Sequence, residues 1–204
     1  MKLALVMVLG YLIGSIPFAL VIGKVFYNTD VRQYGSGNLG GGNTGRVLGQ
    51  KAGLSTMALD LLKVTLVVLI AKLVVGTDTA MALGALAAGI GHCFPLYAHF
   101  KGGKAVAAMY GYLFGLFVVA GRSPLYFFLP LVIFLIVIVV SRIISLSSII
   151  SAIAVTIYIC LQPEVPAVKI VQVIFAVVIV VRHRANIVRM MNHNENTISW
   201  LPKR

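Results

Sequence analysis

Apolar residues gather along the chain in seven stretches, at residues 3–26, 54–75, 80–96, 106–120, 125–140, 143–161 and 168–181, parted by runs of charge, glycine or proline. The stretches are apolar all round, which marks segments that are buried or face lipid. A helix needs about 20 residues to cross the hydrocarbon of a bilayer. The pattern therefore predicts an all-α polytopic membrane protein of about seven transmembrane helices. Several stretches are short, so they must lean on neighbours, and a re-entrant segment would reduce the crossings to about five or six. Met1-Lys2 opens like a secretory signal, but the apolar run that follows outlasts a signal and lacks a small-residue cleavage site. It reads as the first membrane helix.

Composition narrows the class. The 204 residues are 60% hydrophobic and 11% charged, with mean hydropathy +1.00, more apolar surface than a soluble core of this length can bury. Seventeen Lys and Arg face five Asp and Glu, a net charge of +12. In so apolar a chain the fitting partners are membrane lipids and phosphate ligands, with no nucleic acid expected. Lys and Arg collect in short cytoplasmic loops, and one arrangement satisfies that rule: N-terminus outside, C-terminus cytoplasmic. It leaves Lys2, Arg122 and Lys169 outside, puts Lys63 and Lys72 within the second span, and places every other Lys and Arg inside. The cytoplasmic segments are then 27–53, 97–105, 141–142 and a tail at 182–204, all parts of one membrane-embedded domain spanning 1–204. The outer connections are too short to house a site. Cys93 and Cys160 show no metal-ligand or disulfide spacing, so neither a metal nor a cofactor is expected.

Three inner segments carry chemistry-bearing residues. The first contains Gly35-Ser36-Gly37-Asn38 and continues through Gly40-Gly41-Gly42-Asn43 to Arg46. Glycines let backbone N–H groups converge on an anion, and an arginine adds a two-point grip, so a phosphate cradle and a flexible connector are both open readings. The second is Phe100-Lys101-Gly102-Gly103-Lys104 ahead of an apolar helix, after Gly91-His92-Cys93-Phe94-Pro95. It offers cations and a helix N-terminus to a phosphate, or simply anchors the chain at the membrane boundary. The third runs from Arg182-His183 to Asn186 and Arg189, with His183 and Asn186 on one helical face; it orients a phosphate ester or touches anionic lipid. Asp60 and Lys63, three apart within a span, pair with each other or line a polar cavity.

Taken together, these segments with Gly14-Ser15-Ile16-Pro17-Phe18 and Ser145-Leu146-Ser147-Ser148-Ile149 resemble the bacterial acyl-phosphate:glycerol-3-phosphate acyltransferase family, the PlsY type. Order and spacing agree from about residue 10 to 195. The resemblance implies a seven-helix enzyme of the bacterial inner membrane. It would transfer a fatty acyl group from acyl phosphate to the sn-1 hydroxyl of glycerol 3-phosphate, with a soluble acyl-phosphate-producing enzyme as a partner. By position it implies Ser36, Asn38, Asn43 and Arg46 in a first site motif, Lys101, Gly102, Gly103 and Lys104 in a phosphate-binding second, and His183, Asn186 and Glu195 in a third. Where members read Gly-Ala-Thr-Asn, this chain has Gly40-Gly41-Gly42-Asn43; Val64, Ala105, Ala108 and His193 also depart from the pattern.

On this reading Lys104 and Arg46 neutralise two phosphates, while backbone N–H groups of Gly35, Gly37, Gly102 and Gly103 face the developing oxyanion. Ser36, Asn186 and His183 orient the attacking hydroxyl. Its proton goes to His183 or to the donor phosphate, the latter favoured if no carboxylate stands beside the motifs. The rival reading is a non-catalytic membrane protein that binds an anion or lipid, or a small transporter.

Overall fold

Pro17 breaks the first apolar stretch. A proline lacks the N–H that would continue a helix and pushes the preceding residue out of helical geometry. Residues 3–26, expected as one helix, therefore fold as two: α1 (Lys2–Gly14) and α2 (Phe18–Tyr27). The first inner segment is not a loose connector either. It holds a 3₁₀ turn at Val31–Gln33 and helix α3 (Gly41–Leu48), so Gly41 and Gly42 are helical. Each remaining stretch gives one helix: α4 (Gln50–Val74), α5 (Asp78–Cys93), α6 (Val106–Val118), α7 (Leu125–Ser141), α8 (Ile144–Leu161) and α9 (Pro166–Arg182). A tail helix, α10 (Arg184–Met191), is bent 54° from α9. The computed structural model describes residues 1–198, and among them there is no strand. Lys203 and Arg204, assigned to the cytoplasmic tail, lie outside the described residues.

Among the described residues, three segments are long and apolar enough to cross a membrane: Lys2–Tyr27, Asp78–Ala98 and Ile144–Leu161. The bent α9–α10 pair makes a fourth. The short α6 and α7 are apolar, with 13 and 17 residues. Burial compensates α6, whose Met109, Tyr112, Leu113 and Leu116 are fully enclosed.

Small residues let the helices close in. Along α5 the buried positions are largely Ala and Gly, the composition that brings backbones together where lipid gives no hydrophobic drive. A Cβ added at Gly14 of α1 would lie 2.1 Å from the Ala88 carbonyl oxygen, and one at Gly91 of α5 would lie 2.3 Å from that of Tyr11. On its other side α5 meets α4 and α9, where Phe175 stacks on Tyr112 at 5.7 Å between ring centroids.

The ends of α5 separate two polar regions. At its start Asp78 accepts from Arg122 at 2.7 Å; the same guanidinium reaches Glu164, which also accepts from the Tyr126 hydroxyl at 2.7 Å. One arginine thus ties the three short connections expected outside. His92, near the end of α5, lies at the opposite pole with the inner motifs.

Overpacking a close-fitting site costs about 1–3 kcal/mol. Gly14→Ala and Gly91→Ala should each lower the melting temperature of the purified protein in detergent. Gly42→Ala, whose Cβ meets nothing within 4 Å, should leave it unchanged or raise it slightly, since alanine favours a helix over glycine.

Candidate active site

A chain of polar contacts joins the second and third motifs. Lys104 stands between the Gly102-Gly103 turn and the start of α6, and its ammonium donates to Asn186 Oδ1 at 2.5 Å. Asn186 lies on α10, buried, and donates through Nδ2 to Glu195 Oε1 at 2.6 Å. The Ser145 hydroxyl, at the start of α8, donates to the same oxygen at 3.0 Å, and Arg189 Nε donates to Glu195 Oε2 at 2.8 Å. The tail is drawn across the site as it comes back, with Ile198 N–H bonded to the Arg142 carbonyl. A carboxylate therefore does stand beside the motifs, contrary to the reading in which none does; it is Glu195, which the resemblance placed in the third motif.

Electrostatics follow from that crowding. Burial lowers Lys104 to about 8; Glu195 opposes this, while the positive charges of Arg189, Arg182 and Arg46 push the same way. For Glu195, burial works upward but is outweighed by hydrogen bonds from Asn186, Arg189 and Ser145, leaving it below the usual carboxylate range. Four cations thus surround one anion. That surplus suits a phosphate ester, which brings up to two negative charges.

His183 sits in the break between α9 and α10, buried, with Nδ1 2.8 Å from the Ile179 carbonyl oxygen. A carbonyl only accepts, so Nδ1 holds the proton and Nε2 is left as an acceptor. Burial pushes the ring down to about 4, against the bond to Ile179. A neutral ring that far below neutrality orients a hydroxyl better than it removes a proton.

Of the four glycine N–H groups expected to face an oxyanion, those of Gly37 and Gly103 are bonded within their own segments. Asn43 is buried, accepting from Ser36 N–H at 2.8 Å and donating to the Val31 and Tyr34 carbonyls. Gly35 and Gly37 turn the chain with φ of 60° and 66°, and the Gly37 N–H is bonded to Tyr34. The Gly103 N–H is likewise occupied by the His92 carbonyl at 3.0 Å. The carbonyls of this second turn are held too: Arg182 donates to those of Gly103 and Gly102 at 3.1 and 3.0 Å, and Asn38 donates to that of Gly102 at 3.1 Å. Asn38 is thereby the tie between first and second motifs. Ser36, Arg46 and Lys101 are exposed and make no side-chain hydrogen bond among the described residues.

The fold thus unites Lys104, Asn186 and His183 with Asn38, Gly102 and Gly103, keeps Asn43 as a brace, and leaves Ser36, Arg46 and Lys101 at the solvent edge. Arg182, Ser145 and Glu195 take fuller parts than their sequence positions announce. A buried serine at the head of an apolar helix, as Ser145 is, was the available signal.

Known proteins are similar to this chain along nearly all of its length. The family model described as glycerol-3-phosphate acyltransferase matches residues 4–193. A glycerol-3-phosphate acyltransferase of Geobacillus kaustophilus (strain HTA426) is 42% identical over 201 residues, covering 98% of both chains. One of Streptococcus pyogenes is 40% identical over 209 residues, 98% of this chain and 95% of the relative. The crystal structure of PlsY (YgiH), an integral membrane glycerol 3-phosphate acyltransferase, in its glycerol 3-phosphate form superposes with a TM-score of 0.89 at 31% identity, covering 98% and 96% of the two chains. Its lysophosphatidic acid form gives 0.87 at 30% identity. Full-length similarity to sequences and to solved structures agrees with the motif order, and the chain belongs to the glycerol-3-phosphate acyltransferase family of integral membrane proteins, the PlsY type.

Proposed function

We propose that this protein transfers a fatty acyl group from acyl phosphate to the sn-1 hydroxyl of glycerol 3-phosphate. It would act as a single membrane domain with seven crossings, N-terminus outside and its site on the cytoplasmic face of a bacterial inner membrane. A soluble enzyme that makes acyl phosphate would supply the donor. The observation that carries this reading is the surplus of cations around Lys104, Arg46, Arg182, Arg189 and Glu195, at the end of the bundle where charge placement puts the cytoplasm.

Acyl phosphate is a mixed anhydride with a good leaving group, so no covalent acyl-enzyme is needed and positioning with charge stabilisation suffices. Lys104 and Arg46 neutralise phosphate. Ser36 and Asn186 with the Nε2 acceptor of His183 orient the hydroxyl; Asn38, Asn43, Lys101, Gly102 and Gly103 shape the substrate pocket. The hydroxyl oxygen bonds to the acyl carbon, the anhydride C–O bond breaks, and phosphate leaves with the bonding electrons. His183 is held near 4, so the leaving phosphate is the better proton acceptor. Glu195, bound by three donors, keeps Asn186 and Arg189 in place.

Purified protein given acyl phosphate and glycerol 3-phosphate should release phosphate and form 1-acyl-glycerol 3-phosphate together. Phosphate release without the acylated product would make the protein a hydrolase of acyl phosphate, and binding or movement of substrate across vesicles with no phosphate released would remove the proposal in favour of binding or transport. Losing one preorganised donor at a charged transition state costs about 10²–10³-fold, so Lys104→Ala should reduce kcat/KM by at least that factor.

A lysine lowered to about 8 loses its charge as pH rises through that value. Accordingly, kcat/KM for glycerol 3-phosphate should fall above pH 8, and Lys104→Arg should displace that fall to higher pH. Between pH 5 and 7 no inflection from His183 is expected, and His183→Gln should raise KM while keeping most of kcat. A large loss of kcat in that variant would make His183 the base.

A further inference from the structure

The side chains of Asp60, Lys63 and His92 make no hydrogen bond to the site among the described residues, yet these residues are nearly as enclosed as the hydrophobic core, at 1%, 5% and 5% exposure. Lys63 Nζ is 2.6 Å from Asp60 Oδ1 and donates to the Ile16 carbonyl at 2.8 Å. That carbonyl is available because Pro17 interrupts the first apolar stretch. His92 Nδ1 is 3.5 Å from the same Asp60 oxygen. Asp60 Oδ2 is buried and without a partner among the described residues, so the cluster leaves part of its hydrogen-bonding capacity unused. Ionised groups at this depth are costly to keep. An apolar trio of equal volume would hold α4 against α5 at lower cost.

What the cluster touches supplies a reason for it. The His92 ring lies directly under the second glycine turn: a Cβ added at Gly103 would fall 2.0 Å from His92 Nε2 and 2.6 Å from Cε1. The His92 carbonyl accepts the Gly103 N–H, and a Cβ at Gly102 would fall 2.2 Å from that carbonyl oxygen. The turn therefore rests on His92 through both backbone and ring, and the next residue is Lys104. We propose that Asp60, Lys63 and His92 are positioning residues for the phosphate-binding turn: Asp60, held by Lys63, sets the His92 ring, and the ring sets where Gly103 and Lys104 meet the phosphate. No one of the three touches substrate. The inference rests on the reading of Lys104 as a phosphate ligand.

Two variants test it. His92→Asn withdraws the ring from beneath Gly103, and the double variant Asp60→Leu/Lys63→Met removes both charges at once, leaving no ion unpaired. As a control, Thr156→Val/Gln172→Leu removes a buried polar contact between α8 and α9, where Gln172 donates to Thr156 at 3.0 Å. Melting temperature in detergent, its rise with added glycerol 3-phosphate, and KM and kcat are measured for each. Displacing a substrate-holding group by about 1 Å costs up to ~100-fold. Both cluster variants should fold, lose most of the glycerol 3-phosphate-induced rise, and raise KM for glycerol 3-phosphate about 10- to 100-fold with a smaller change in kcat. The control should change melting temperature and leave KM alone. A cluster variant that folds with wild-type KM and a wild-type rise overturns the proposal, and so does collapse of both cluster variants, which would make the cluster a scaffold. Wild-type protein that is stabilised by glycerol 3-phosphate but forms no acylated product would overturn the enzymatic reading alone, since the melting rise still reports on the turn.

Discussion

Cations gathered at the edge of an apolar medium repel one another strongly, and the inner pole of this molecule holds Lys104, Arg46, Arg182 and Arg189 close enough to act on each other. The fold exists around that repulsion. Glu195 offsets part of it through Asn186 and Arg189. Arg182 is turned away into the carbonyls of Gly102 and Gly103 and over the Phe94 ring, 5.3 Å from its centroid. The remaining charge is left for a phosphate. Each helix break near the site bears on this balance: the bend after Arg182 brings α10 and Asn186 back towards Lys104, and the start of α6 is delayed until Val106 so that Lys104 stays on an irregular segment.

Ala105 shows that the delay is costly. It caps α6 in the left-handed region, with φ 64°, and is fully buried. An L-residue there carries about 1–2 kcal/mol of strain, which the contacts around Lys104 hold in place. Ala105 is one of the positions where the chain departs from the pattern it otherwise resembles, so this departure falls where the backbone is strained.

Hydropathy alone marked every long helix, because a span that faces lipid or core must be apolar along its length. Charge placement grouped the three motif segments on one face, and they do converge. Other features were beyond that kind of reading. The break at Pro17 was present in the sequence but hidden by an uninterrupted apolar run on both sides. Helix α3 was obscured because three glycines disfavour helix, and only its packing against Gly53 of α4 explains it: a Cβ there would lie 2.6 Å from Gly45 Cα. Asp60 and His92 are 32 residues apart on different helices, so no local period links them. The N–H groups of Gly37 and Gly103 looked available because sequence does not reveal which partners a turn will find within itself.

Helix α7 has a consequence of another kind. Its 17 residues span about 25 Å, less than the ~30 Å of hydrocarbon in a typical bilayer. It packs on α8 and less on α6, with Phe128, Val132, Leu135, Ile136 and Val139 exposed along its flank. As one of seven crossings it would thin the lipids beside it, or have its ends drawn inward, at a fraction of a kcal/mol for each ångström. One end is Arg142, whose carbonyl holds Ile198 and so the strand of tail that delivers Glu195. A pull on this end of the helix would therefore also be a pull on the segment that carries the carboxylate at the centre of the site.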